Sequence, residues 1–459
     1  MRHSIFAVAI ALALHAAGAL AQTVPSNAEI RKILIQRVDD YRQGVGMVVG
    51  VVDANGRRVI SYGTFDKSDP REINGDTILE IGSVTKVFTS LLLADMVQRG
   101  EVALTDPISK FLPPTVKTPE RGGRAITLLD LATHSSGLPR LPSDLKPGDA
   151  TNPYADYGVE QLYQFLASCE LKRDIGAEFE YSNLGAGLLG HLLARRARMD
   201  YESLVRSRIT VPLGMTGTSI SLTPEVRARL AVGHNAQLER VRDWEFGVLA
   251  GCGALRSTAN DLLTFLEANL GYRKSPLTPA MAAMVQVRRP ARPLGTIGLA
   301  WIMTSVQGRE IVWHNGGTFG FRSFLGYDPQ ARRGVVVLAN TFTAAGVDDI
   351  GMHVLDARSP LAAPPKAHTT VAIDLKLLDG YVGRYQLGPT FILTVTREGD
   401  QLFLQATNQP KIAVFPQGPR DFFMKVVDAQ ITFVPDAQGR AAQLILHQNG
   451  KDVPAKRIE

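Results

Sequence analysis

Two blocks of β-forming sequence lie far apart in this chain, and the stretch between them is helical in pattern. Val45 to Val52 is an apolar, β-branched run, followed by the turn Asp53-Ala54-Asn55-Gly56 and by Arg57 to Tyr62. This reads as a hairpin. The second block comprises Ile311 to His314, Phe321 to Tyr327 and Gly334 to Asn340, separated by Gly-rich or Asp-Pro turns. Between the blocks, apolar residues recur every three or four positions over Val84 to Val97, Ile126 to Ala132, Leu184 to Leu193 and Ala259 to Leu270. Strands at either end of a helical middle predict one antiparallel sheet flanked by helices, with an inserted helical subdomain. The class is α+β.

Leu361-Ala362-Ala363-Pro364-Pro365-Lys366 breaks any helix, and the character of the chain changes beyond it. Short alternating runs follow at Tyr381 to Tyr385, Phe391 to Thr396, Gln401 to Gln405, Ile412 to Phe415, Ile431 to Val434 and Gln443 to His447. Residues 370–459 therefore read as a separate all-β barrel or sandwich, joined through a linker at 361–369 to a larger unit at 22–360. At the other end, Met1-Arg2-His3 is a short basic start before the apolar stretch Ile5 to Leu14, and Ala19-x-Ala21 suits signal peptidase. Residues 1–21 read as a secretory signal cleaved before Gln22, because His15 and Gly18 cut the apolar run below the roughly 20 residues a spanning helix needs. The expected product is exported, periplasmic or secreted, with no membrane span.

The formal charge of +6 over 459 residues is too weak to argue for a nucleic-acid partner. Nine scattered histidines without ligand spacing and two cysteines, Cys169 and Cys252, argue against a metal site or a disulfide framework. No cofactor is expected, and a Cys169–Cys252 bridge stays open. Gly185-x-Gly187-x-x-Gly190 matches the dinucleotide fingerprint literally, but no strand precedes it and an Arg-rich helical stretch stands where the second strand belongs. These glycines are expected to permit close helix packing.

Ser-x-x-Lys occurs twice. Ser143-Asp144-Leu145-Lys146 lies in a Pro- and Gly-rich stretch where nothing would hold the two side chains in register. Ser83-Val84-Thr85-Lys86 instead opens a nearly all-apolar helix that runs toward Gly100. Residues i and i+3 share a helix face, so Lys86 would lie one turn from the Ser83 hydroxyl. Burial favours the neutral amine and makes Lys86 a base for that hydroxyl. The Ser83 amide is in addition a free donor for a developing oxyanion. Taken alone, this segment is equally well a serine N-cap with a snorkelling lysine.

Two further segments shift the balance: Phe179-Glu180-Tyr181-Ser182-Asn183, and Trp313-His314-Asn315-Gly316-Gly317-Thr318. The order Ser83-x-x-Lys86, Tyr181-x-Asn183, His314-x-Gly316 resembles the penicillin-recognising serine hydrolases, in particular the class C β-lactamase and DD-peptidase branch (peptidase family S12). Leu128 to Pro139 and Gly253 to Thr258 look like it too. The resemblance implies the β-lactamase/DD-peptidase fold, and the C-terminal residues resemble the lipocalin-like β domain appended to some members. It further implies that Ser83 is the acylated nucleophile, Lys86 its base partner and Tyr181 a second acid/base group. Asn183 would bind Lys86 and the substrate amide, and the Ser83 and Gly317 amides would form the oxyanion hole, with Gly316 allowing close approach.

One departure stands out. The family lysine of the third motif is His314 here, and a histidine is largely neutral above about pH 6.5. That places efficient β-lactam hydrolysis second to D-amino-acid peptidase, DD-carboxypeptidase or esterase activity. The expected substrate is a cell-wall peptide, a β-lactam or an ester. A rival of another class is a penicillin-binding sensor that is acylated but does not turn over.

Overall fold

The computed structural model describes residues 24–364, 368–388, 391–407, 411–425, 429–448 and 451–459. The expected signal segment 1–21 and part of the linker lie outside the described residues. Early and late strands do meet in one sheet. The early strands are β1 (Gly46–Asp53), β2 (Gly56–Asp66) and β3 (Asp69–Glu72). The late ones are β4 (Arg289–Ala291), β5 (Gly295–Ile297), β6 (Ile302–Val306), β7 (Arg309–Gly317), β8 (Arg322–Asp328) and β9 (Arg333–Ala339). All pairs are antiparallel, in the order β4-β5-β6-β7-β8-β9-β1-β2-β3. The seam between the two blocks pairs Val49 with Val337 and Val51 with Val335.

Successive side chains of a strand point to opposite faces, so the unbroken apolar run of β1 feeds two cores at once. Met47, Val49 and Val51, with Val335 and Val337, pack under α1 (Asn27–Ile35) and a late helix, Asp348–Leu355. Val48 and Val52, with Val336 and Leu338, face the larger helical core. That core holds α2 (Thr85–Gln98), α3 (Asn183–Ala197) and α4 (Ala259–Asn269), close to the predicted spans. Among the described residues no helix is long and apolar enough to cross a membrane.

The glycines of α3 do what the sequence predicts of them. A Cβ on Gly187 would lie 2.7 Å from a Leu249 methyl, and one on Gly190 would lie 2.8 Å from the Gly251 Cα. Their bareness lets α3 dock directly on the segment Gly247–Cys252. Ser143 to Lys146, by contrast, lies in turn and irregular chain.

Beyond the linker, eight strands close into a barrel: β10 (Gly383–Gly388), β11 (Phe391–Glu398), β12 (Gln401–Ala406), β13 (Lys411–Pro416), β14 (Asp421–Met424), β15 (Ala429–Pro435), β16 (Ala441–Gln448) and β17 (Lys451–Arg457). Tyr381, expected to begin a strand, instead ends the short helix Lys376–Tyr381. Its ring stacks on Phe433 with centroids 4.3 Å apart, and its hydroxyl donates to the Pro419 carbonyl at 2.9 Å. Burying that ring in the barrel core outweighs its strand preference. Gln237 Nε2 donates to the Lys425 carbonyl at 2.7 Å, joining a hairpin loop of the larger unit to the barrel.

The α3 contact yields a stability prediction. Gly190→Ala gains about 1 kcal/mol in helix propensity, yet its methyl meets backbone that cannot yield. Overpacking of about 1–3 kcal/mol should dominate, and a urea titration of the variant should show a lower midpoint at an unchanged slope.

Candidate active site

Ser83 sits in the 3-10 turn Gly82–Val84 that leads into α2, so it and Lys86 are one turn apart on the same side. Lys86 is 1% exposed. Its Nζ lies 2.9 Å from Ser83 Oγ, 2.9 Å from Asn183 Oδ1 and 2.7 Å from the Cys252 carbonyl. An ammonium has three N–H donors and these are three acceptors. A neutral amine would keep two donors, for Asn183 and Cys252, and turn its lone pair to the Ser83 hydroxyl proton. The same three partners can satisfy either form of the amine.

The third motif runs along β7 toward this turn. A Cβ on Gly82, whose φ is +48°, would lie 2.6 Å from the Gly317 nitrogen, and one on Gly316 would lie 2.9 Å from the Ser83 nitrogen. Glycine at both places lets the turn and β7 pack against each other. Ser323, opposite Gly316 on β8, donates from Oγ to the Ile81 carbonyl at 2.8 Å and pins the turn to the sheet.

Tyr181 presents its ring to Lys86, with Nζ 4.8 Å from the ring centroid, and lies 4.5 Å from the His134 ring and 6.2 Å from that of His314. Asn183 opens α3; its Nδ2 donates to the Tyr154 hydroxyl at 2.9 Å. The structure therefore brings together all seven residues singled out by sequence: Ser83, Lys86, Tyr181, Asn183, His314, Gly316 and Gly317.

His314 is 1% exposed, and its Nδ1 lies 2.6 Å from the Asn315 carbonyl, so Nδ1 carries the hydrogen. Nε2 is then an acceptor, buried and with no partner among the described residues. Burial, reinforced by the Lys86 charge, pushes its pKa down to about 3. The third motif thus contributes a neutral acceptor where a lysine would contribute a charged donor.

Some participants were invisible in the sequence. The Cys252 contribution is a main-chain carbonyl that any residue could supply, and its thiol, pushed up to about 11 by burial, stays protonated. Cys169 and Cys252 are not bridged. Tyr154 belongs to an aromatic wall with Trp244 and Phe246, and Trp244 packs on Phe319 at 4.7 Å. A buried Arg256–Glu80 pair at 3.0 Å supports the chain just before Ser83. Among the described residues no group of three or more His, Cys, Asp or Glu side chains could hold a metal.

A model of the β-lactamase family matches residues 31–358, the span that carries all of these groups. The chain belongs to the β-lactamase family. Residues 367–457, which contain the barrel, match a domain family of unknown function, DUF3471. The D-alanyl-D-alanine-carboxypeptidase/endopeptidase AmpH of Escherichia coli K12 is 32% identical over 344 residues, covering 70% of this chain and 87% of that protein. Penicillin-binding protein 4* of Bacillus subtilis is 23% identical over 431 residues, covering 87% and 92%. The crystal structure of a class C β-lactamase from Rhodobacter sphaeroides aligns with a TM-score of 0.60 at 26% identity, over 69% of this chain and 94% of that one. This β-lactamase-family chain is a serine hydrolase of the class C β-lactamase and DD-peptidase branch.

The His314 environment makes a pH prediction. Unfolded, an imidazole binds a proton below about pH 6.5; folded, His314 does so only near pH 3, and His191, lowered by burial and by Arg195, near 4. Their contribution to stability is complete above pH 6.5 and is lost as pH falls toward 3 to 4. Urea midpoints should drop between pH 7 and 4.5, and His191→Gln should flatten that slope.

Proposed function

We propose that this serine hydrolase is exported and works through a Ser83 acyl-enzyme on D-amino-acid peptides or esters, with β-lactam hydrolysis the second reading. The observation that carries the proposal is Lys86 Nζ held 2.9 Å from both Ser83 Oγ and Asn183 Oδ1, with the Gly82–Ser83 turn packed closely on Gly316 and Gly317 of β7. Ser83 Oγ bonds to the substrate carbonyl carbon as its proton passes to Lys86, and the carbonyl electron pair moves onto an oxygen facing the two amides. Collapse of this intermediate breaks the carbon–nitrogen or carbon–oxygen bond, and the leaving group takes a proton from the Lys86–Tyr181 pair. Water, losing its proton to the same pair, then releases the acid and restores the Ser83 hydroxyl.

The neutral His314 is what orders the two readings. A β-lactam carboxylate would find no fixed charge on this residue, whereas acylation itself does not need one. The named activity of the E. coli relative, carboxypeptidase and endopeptidase, agrees with the first reading. Next to Asn183, the Tyr154–Trp244–Phe319 wall would receive an apolar acyl group.

Intact mass and product, followed with a penicillin, a chromogenic cephalosporin, a D-Ala-D-Ala peptide and a short nitrophenyl ester, separate the cases. Peptide or ester turnover without a lasting adduct is expected. A persistent adduct and no product would instead make this a penicillin-binding sensor, and Ser83→Ala retaining turnover would overturn the site. Export predicts a mature N-terminus at Gln22 when the full chain is expressed with a secretion pathway, which N-terminal sequencing of the product reads.

A further inference from the structure

The segment Phe179 to Ser182, which carries Tyr181, belongs to no helix or strand. No ladder of backbone hydrogen bonds therefore fixes the tyrosine, and the question is what does. His134 contacts this segment in three ways. Its carbonyl accepts the Glu180 N–H at 2.8 Å, its Nδ1 accepts the Ser182 N–H at 3.1 Å, and its ring lies 4.5 Å from the Tyr181 ring at a tilt of 31°. Phe179 closes the other edge of the imidazole, T-shaped at 5.8 Å. The amides on both sides of Tyr181 are thus held by one residue.

We propose that His134 is the positioning residue for Tyr181, setting the attitude of the tyrosine toward Lys86 and the bound acyl group. This rests on the reading of Tyr181 as an acid/base group. His134 has a φ of +52°, a conformation non-glycine residues rarely adopt and keep only where the surroundings over-determine it. Its Nδ1 must keep a lone pair to accept from Ser182, and the environment secures that. The ring is buried, and desolvation together with the charges of Lys86, His314 when protonated, and Arg140 pushes its pKa well below 6.5. An imidazolium would turn an N–H toward the Ser182 N–H and open the clamp.

The test separates ring from acceptor. His134→Phe keeps a flat ring and removes the acceptor, whereas His134→Asn places a carbonyl near the Nδ1 position and tolerates positive φ. With the chromogenic cephalosporin or the nitrophenyl ester, whichever Ser83 turns over, His134→Phe should lower kcat about 10- to 100-fold at a KM within about twofold. His134→Asn should restore kcat to within about threefold of the parent. On a Tyr181→Phe background the His134→Phe change should cost less than about threefold, because the group it positions is gone. Wild-type kcat in His134→Phe, or an equal loss on both backgrounds, would overturn the proposal. Wild-type kcat in Tyr181→Phe alone would instead bring down the acid/base reading of Tyr181 on which it rests. If the Phe variant does not fold, His134→Gln, whose carbonyl sits one bond too far out, carries the same comparison.

Discussion

A lysine amine almost wholly out of water is the constraint on which the rest of this structure depends. Burying such a group without partners would cost several kcal/mol, and Lys86 finds its three partners on three separate stretches of chain: the turn before α2, the first residue of α3 and the segment Gly247–Cys252. Each must be in place for the amine to be satisfied. The glycines of α3 tie two of them together. Gly187 and Gly190 dock that helix on the segment ending at Cys252, so the contact that sets the distance between helix and segment also sets the distance between the Asn183 amide and the Cys252 carbonyl. Packing without side chains and a satisfied buried amine are one arrangement seen from two sides.

Much of the site was legible because its chemistry is local. Ser83 and Lys86 share a face through i, i+3 spacing whatever surrounds them, and Gly185-x-Gly187-x-x-Gly190 could be assigned to packing because no strand precedes it. The main strands and helices followed from periodicity. What stayed hidden depends on long-range contact. The Cys252 carbonyl has no sequence signature, and the contacts of His134 with Glu180, Tyr181 and Ser182 arise only when the fold lays residues 134–140 beside 179–184. The outer strands β3 to β6 are short or polar, and Pro290 and Pro454 argue locally against strands that the sheet and the closed barrel nonetheless accommodate. Tyr381 shows the same override in reverse, its ring serving the barrel core from a helix.

The third motif shows how one substitution changes the polarity of a site while leaving its frame intact. β7 still delivers Gly316 and Gly317 to the Ser83 turn, since that depends on backbone and on the absence of a Cβ. At position 314, however, the backbone carbonyl of Asn315 fixes the imidazole tautomer, and burial removes its charge. The side chain therefore accepts a hydrogen bond where a lysine would donate one, and selectivity among carbonyl substrates has to come from other groups. The aromatic wall of Tyr154, Trp244 and Phe319, joined to the site through Asn183, is built for apolar contact rather than for charge.

The two amides proposed as oxyanion donors come from elements with independent supports, which is what makes their separation well defined. The Ser83 amide lies on a turn whose carbonyl at Ile81 accepts the Ser323 hydroxyl, and the Gly317 amide lies on β7, whose neighbour β8 carries that same Ser323. One serine thus links the Ser83 turn to the strand pair that carries Gly317. Because β8 is held in turn by β9, and β9 by β1, the distance between the two amides is referred to the centre of the sheet rather than to a loop. Donors fixed in this way need little reorganisation when negative charge develops on the substrate oxygen, and that is the condition under which they stabilise a transition state more than a ground state.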